Sequence, residues 1–330
     1  MADQPFALKA FVDSKPLNSV SSHELSRYDR IILTGMGASH YSALPTWRRL
    51  VALGLPAWWL STSELLDSRA LLRDGSLLWI TSQSGRSGEI VALLDEISES
   101  GRPRCIIGVT SDLDSPLGKT SDIAVDLCCG PEATVSTKSY INSLAAHHLL
   151  LVRFAGGDED GANREILDAA VKISSSGVSL EAIKAIATEA LSSESPRFAL
   201  IGAGDQAASA LYGALVIKEA CKLQAEGFIG GEFRHGPFEL AGPGLTAVLY
   251  RGHDEYSDLS ALSADLRRTG SQIVELPSDE SSQAPDSTST GLRKLMTEAV
   301  FAQMLSVELA RARGITPGEF RFGQKITSSL

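Results

Sequence analysis

Seven consecutive residues, Ser82-Gln83-Ser84-Gly85-Arg86-Ser87-Gly88, carry the clearest chemical signal in the chain. They follow the apolar run LLWITS (77–82) and lead directly into a helical pattern over 88–99. Three hydroxyls and an amide at a helix start suit a phosphate. The helix end supplies partial positive charge and the neutral side chains complete the grip. An ordinary N-cap would account for Ser87 but not for the whole cluster. A second turn, Gly35-Met36-Gly37-Ala38-Ser39-His40, opens a helix after the apolar run 31–35. It is half of a dinucleotide fingerprint, but the third glycine is absent and no acid stands near 55–60 to hold a ribose. NAD is therefore not expected. In a third, Pro131–Lys138, either Thr134 or Ser136 is expected to cap the following helix or to face a ligand.

Groups able to move protons lie further along. Glu219 falls within an expected helix over 205–226, where the plain reading pairs it with Lys222. His235 lies in GGEFRHGPFEL, and Lys325 lies in the tail. A lone histidine is ordinarily a satisfied structural residue and a tail lysine is ordinarily solvated. Histidine can also give and take protons near neutral pH, and a lysine amine can polarise a carbonyl or form a Schiff base.

The elements that must position these groups echo one another. Segment 32–44, ILTGMGASHYSAL, and segment 199–211, ALIGAGDQAASAL, share Leu33/Leu200, Gly35/Gly202, Gly37/Gly204, Ser42/Ser209, Ala43/Ala210 and Leu44/Leu211 at an offset of 202 − 35 = 167. The same offset sets the apolar run 77–82 opposite 244–249 and 104–110 opposite 271–277. In the first half, strands over 31–35, 77–82, 104–110 and 122–127 alternate with helices over 39–53, 88–99 and 137–154. In the second, strands over 197–202, 245–250 and 271–276 alternate with helices over 205–226, 256–269 and 291–313. Continuous apolar strands between helices predict α/β halves, each a parallel sheet flanked by helices in a flavodoxin-like three-layer sandwich. The expected division is an N-terminal segment 1–28, a phosphate-binding domain 29–155, a linker 156–175, a second domain 176–315 and a tail 316–330. GGDEDGAN (156–163) is the polar break, and 277–290 reads as a flexible loop. In the second half the serines of the phosphate turn are gone, which predicts one phosphate site per pair of halves.

SQSGRSGE (82–89), VSTKSYINSL (135–144), GAGDQ (202–206), ALVIKEACKLQAEGFIGGEFRHGP (214–237) and QKIT (324–327) together resemble proteins with two sugar isomerase (SIS) domains. These include the isomerase part of glucosamine-6-phosphate synthase, phosphosugar deaminases and isomerases, and ketosamine-phosphate deglycases. The resemblance covers about residues 30–327. It implies that Ser39, Ser82, Gln83, Ser84 and Ser87 hold the sugar phosphate and that Ser136 lies near the sugar. It implies that Glu219 shuttles a proton between C1 and C2, that His235, from the neighbouring subunit, opens the ring, and that Lys325 approaches the carbonyl carbon. Tyr212 and Val216 depart from the resemblance, standing where the synthase carries a glutamate and a lysine. Arg86 and Ala38 also depart. With no glutaminase domain ahead of Met1, glutamine-dependent synthesis is not expected. The resemblance implies an aldose–ketose isomerase, deaminase or deglycase acting on an amino-sugar or ketosamine 6-phosphate, working as a homodimer with a shared site and without a cofactor or metal. The other reading is a phosphosugar-binding regulator without turnover.

Composition sets outer limits. The chain of 330 residues is 43% hydrophobic and 21% charged, with a net charge of −10. That is a globular composition, and too acidic for sequence-independent nucleic-acid binding. Cys105, Cys128, Cys129 and Cys221 have no disulfide-framework or zinc spacing. No secretion signal or spanning helix is evident, so no membrane partner and a cytoplasmic location are expected.

Overall fold

The structure, a computed structural model, describes residues 2–18, 20, 24–174, 179–252, 259–276 and 291–327. The chain forms two compact units. One takes the chain up to Val171 together with the tail from Gly323; the other takes the chain from Lys172 and the segment Arg293–Phe322.

The first unit runs α1 (Gln4–Asp13), β1 (Arg30–Gly35), α2 (Gly37–Ser42), α3 (Leu44–Ala52), β2 (Ala57–Ser61), α4 (Thr62–Asp67), β3 (Ser76–Thr81), α5 (Gly88–Ser100), β4 (Cys105–Thr110), α6 (Pro116–Thr120), β5 (Ile123–Asp126) and α7 (Lys138–Phe154), with α8 (Glu159–Ser174) at its end. Its five strands are parallel in the order β2-β1-β3-β4-β5, the flavodoxin order. β3 and β4 are buried along their whole length, which is why they read as unbroken apolar runs. One face packs Ile32, Leu78, Ile80 and Ile106 against Leu65, Ile90, Leu93 and Leu117 of α4, α5 and α6. On the other face Trp79 meets His147 and Phe154 of α7.

The second unit runs α9 (Leu180–Ala190), β6 (Arg197–Gly202), α10 (Ala207–Cys221), β7 (Gln224–Ile229), β8 (Leu245–Tyr250), α11 (Ser260–Arg268), β9 (Gln272–Glu275) and α12 (Leu292–Ala312). Its four strands are parallel in the order β7-β6-β8-β9. Successive residues of β6 alternate between two cores. Phe198 and Leu200 pack with α9, α10 and α12, while Ala199 and Ile201 pack with α11 and Phe233.

Several expectations change. The helix expected over 39–53 is two helices, broken at Ala43 with Pro45 in the first turn of α3, where its missing N–H costs nothing. The helix expected over 205–226 stops at Cys221. Lys222 turns left-handed (φ 56°) as its C-cap, and the chain returns as β7. β7 is an edge strand with Gln224 and Glu226 exposed, so its polar residues pass for one face of a helix. β2 occupies the same edge place in the first sheet, over a stretch that is not among the strands expected from the sequence. The polar break runs into α8. The offset of 167 holds between β1 and β6 (197 − 30) and between β4 and β9 (272 − 105), but is 169 between β3 and β8 (245 − 76). The expected match of 77–82 with 244–249 is therefore displaced by two residues. Residues 277–290 and the start of the helix expected from 256 lie outside the described residues.

Candidate active site

β1 and β3 are neighbours, with Gly35 beside Thr81, and the chain turns into a helix after each. A ligand site in an open parallel sheet belongs at such carboxyl ends. Gly35 allows the approach: a Cβ there would sit 2.7 Å from the Thr81 carbonyl oxygen. Ser39 lies half-buried on α2.

After β3 the chain makes a tight loop. Gly85 donates its N–H to the Ser82 carbonyl (3.1 Å) and to Ser82 Oγ (3.2 Å). Gly85 has φ 62°, and a Cβ there would fall 2.0 Å from Ser115 Oγ, so only glycine fits. The Gln83 carbonyl accepts from Ser111 N–H (2.9 Å) and Thr110 Oγ1 (3.3 Å), which ties the loop to the end of β4. Ser84 Oγ accepts from Arg86 N–H (3.2 Å). Ser87 is the N-cap residue of α5, yet its side chain makes no capping bond; its Oγ lies 3.4 Å from Ser82 Oγ. A hydroxyl that accepts a bond still has its own proton to donate. Ser84 thus keeps its donor, the Ser82–Ser87 pair keeps one, and Ser87 is not spent on capping the helix.

Two features of this loop carry no signal in the sequence. Arg86 reaches Asp112 Oδ2 through Nε (3.1 Å) and Nη2 (2.7 Å). Its charge is answered there, and hydrogen bonding to the guanidinium holds the Asp112 carboxyl below the usual range. The Gly88 N–H at the start of α5 donates to the Thr327 carbonyl (2.8 Å), so the tail takes one helix-start amide.

Lys325 is not solvated. Its Nζ donates to Glu132 Oε2 (2.8 Å) and to the Thr134 carbonyl (2.9 Å). The Glu132 side chain is 3% exposed. It also accepts from Thr137 N–H, Thr137 Oγ1, Ser139 N–H and Ser139 Oγ. Burial pushes its pKa up, but the Lys325 ammonium and these donors outweigh that and hold it below its ordinary value. Glu132 thus caps the start of α7. Ser136 lies half-buried in the loop before α7. Ser39, Ser82, Gln83, Ser84, Ser87, Ser136 and Lys325 all belong to the first unit.

Glu219 and His235 belong to the second. Glu219 lies half-buried in the last turn of α10, and Lys222 Nζ donates to its backbone carbonyl rather than forming the expected side-chain pair. His235 follows β7 and is exposed, with its N–H on the Glu232 carbonyl (3.0 Å); it is no core histidine. β7 runs between them, with Glu219 near the end where it starts and His235 beyond the end where it finishes. Five strand steps separate Gln224 from Ile229, roughly 17 Å at about 3.3 Å each, so the second unit does not bring the two together. At the carboxyl end of β8, where the first sheet has its serine loop, Arg251 pairs with Glu275 (3.0 Å) and Lys294 donates to the Arg251 carbonyl (2.5 Å).

The profile of the SIS domain matches residues 24–153 and 190–311, most of both units. The chain belongs to the SIS domain family. It is 28% identical over 267 residues to the glutamine--fructose-6-phosphate aminotransferase [isomerizing] of Caulobacter vibrioides, covering 78% of this chain and 43% of that protein. The chain thus spans less than half the length of the relative it matches. Two solved structures share its fold. One is the C-terminal domain of glucosamine-fructose-6-phosphate aminotransferase from Francisella tularensis (TM-score 0.80, 19% identity, 96% of each chain). The other is glucosamine-6-phosphate deaminase from Thermotoga maritima (TM-score 0.76, 22% identity, 98% of this chain and 97% of that one).

Within the second SIS domain, Tyr212 and Val216 are buried in the core, and the Tyr212 hydroxyl accepts from Gln303 Nε2 of α12 (2.8 Å). Among the described residues no group of three metal-ligating side chains converges, and no helix is long and apolar enough to cross a membrane. The four cysteines are free thiols, three of them buried. No local motif marks Glu132: one of its partners stands 193 residues away.

Proposed function

We propose that the protein is a phosphosugar aldose–ketose isomerase, with deamination or deglycation of an amino-sugar or ketosamine 6-phosphate as the coupled reaction. The observation that carries this reading is the loop after β3, where the hydroxyls of Ser82, Ser84 and Ser87 gather at the start of α5 and the nearby Arg86 is already neutralised by Asp112. A sugar phosphate is gripped there by neutral donors and the helix end. Relatives named as an isomerizing aminotransferase and a deaminase support the same class.

The chemistry follows from the groups available. His235, exposed and unencumbered by a core, protonates the ring oxygen and takes the hydroxyl proton as the sugar opens. Glu219 removes a proton from one of the two carbons C1 and C2 and returns it to the other through an enediol, so one carboxylate serves both steps. Lys325, held in place by its ion pair with Glu132, faces the carbonyl oxygen and stabilises charge that grows on it. The placement of Glu219 and His235 at opposite ends of β7 supports a homodimer in which His235 of one chain serves the site of the other.

The test is a panel of glucosamine, galactosamine, fructose and fructosyl-amino-acid 6-phosphates, with and without ammonia, following isomerised sugar and free ammonia. Turnover of at least one member is expected. Thermal stabilisation by these sugars with no product under any condition would make the protein a sensor instead.

A further inference from the structure

We infer that Glu132 is the positioning residue for Lys325, fixing both the ammonium and the tail that carries it against the first SIS domain. The inference rests on the proposed role of Lys325 in the reaction. Tail residues 323, 324 and 327 are exposed, and Ile326, 37% exposed, is the one of these side chains that covers apolar surface. The rest of the hold on the tail is polar: Lys325 Nζ on Glu132 Oε2 and on the Thr134 carbonyl, and the Thr327 carbonyl on Gly88 N–H. Of these, the ion pair is the strong bond. Its carboxylate is buried, and a buried carboxylate stripped of its cation is costly. An ammonium has three protons; Glu132 and Thr134 take two, leaving one for a substrate oxygen. Glu132 is itself immobilised by Thr137 and Ser139 at the start of α7. The lysine is therefore referenced to a long helix of the domain rather than to a mobile tail, the support a catalytic group requires.

The cap of α7 and the hold on Lys325 can be separated. Glu132→Gln keeps an oxygen for Thr137 and Ser139 but removes the charge. Lys325→Met removes the charge from the other side and leaves the cap intact, so it also serves if Glu132→Gln fails to fold. Lys325→Arg keeps an ion pair. Amide hydrogen exchange of Gly88, whose N–H donates to the Thr327 carbonyl, reads the tether in the full chain without any need for activity. Exchange at least tenfold faster is expected in Glu132→Gln and in Lys325→Met, no faster in the double variant than in either single one, and near wild type in Lys325→Arg. Kinetics read the consequence: kcat of Glu132→Gln is expected to fall at least tenfold while KM changes less than threefold, because other residues hold the phosphate. Unchanged Gly88 exchange in Glu132→Gln overturns the tether. A loosened tail with unchanged kcat overturns the positioning role. If the wild-type protein turns over no phosphosugar, the proposed function fails and the positioning role falls with it, while the exchange data still decide the tether.

Discussion

Ser82 Oγ and Ser87 Oγ lie 3.4 Å apart across the loop that joins β3 to α5, and Ser87 makes no cap bond to the helix it begins. An N-cap serine usually spends its oxygen on the helix amides. Here that oxygen faces a second serine instead, an arrangement suited to two donors on one anion. A hydrogen bond to a charged group contributes about 1.5–3 kcal/mol. Each lost bond should therefore raise KM for the phosphosugar roughly tenfold to hundredfold, and Ser82→Ala combined with Ser84→Ala at least about a hundredfold, with competitive inhibition by inorganic phosphate weakened in parallel. Unchanged values of both would remove the phosphate from this loop.

Gly85 is the hinge of the same loop. Its φ of 62° and the 2.0 Å approach of Ser115 Oγ to a Cβ leave no room for alanine. Gly85→Ala is expected to cost at least about 1 kcal/mol of stability and to raise KM. A thermal melt together with steady-state kinetics checks both, and a variant matching wild type in each would show that the loop tolerates the side chain.

The loop Ser82–Ser87 is legible in the sequence because all its donors are local, and the central strands are legible because burial on both faces leaves them purely apolar. The edge strands β2 and β7 are obscured by half-exposure. Glu226 and Gln224 on β7 read as a polar helix face, and the stop at Lys222 uses a left-handed lysine where a glycine would stand out. Glu132 is invisible for another reason. Its importance lies in a bond to Lys325, and no periodicity or spacing reports a contact made only after folding. The separation of Glu219 from His235 likewise becomes apparent only once β7 stands between them.

Glu298 offers a test of the second domain by pH. It is 3% exposed on α12, accepts from Ser209 Oγ (2.6 Å), and its Oε1 has no hydrogen-bond partner. Burial raises its pKa from 4.5 to about 8, against smaller lowering effects of Ser209 and Lys294. A raised pKa means that the folded state binds more protons than the unfolded one between those two values. Its contribution is fully present below pH 4.5 and is lost as pH rises toward about 8. Glu298→Gln should therefore flatten the decline in Tm over that range and melt higher than wild type at its upper end. Parallel Tm profiles for the two proteins would mean that Glu298 is ionised in the fold.

The placement of Glu219 and His235 at opposite ends of β7 predicts complementation. Glu219→Gln and His235→Ala chains should each lose activity alone and regain part of it when unfolded together and refolded as mixed dimers. Mixed dimers verified by mass with no regained activity would mean that each site is built within one chain.

The proton shuttle is tested most directly by carbon-bound exchange in D2O. Wild-type protein incubated with its phosphosugar substrate should place deuterium at C1 or C2, and Glu219→Gln should still bind the sugar while incorporating it about 100- to 10,000-fold more slowly, the range for loss of a general acid–base group. Deuterium incorporation by Glu219→Gln at the wild-type rate, or none by the wild-type protein with any bound phosphosugar, would contradict the account.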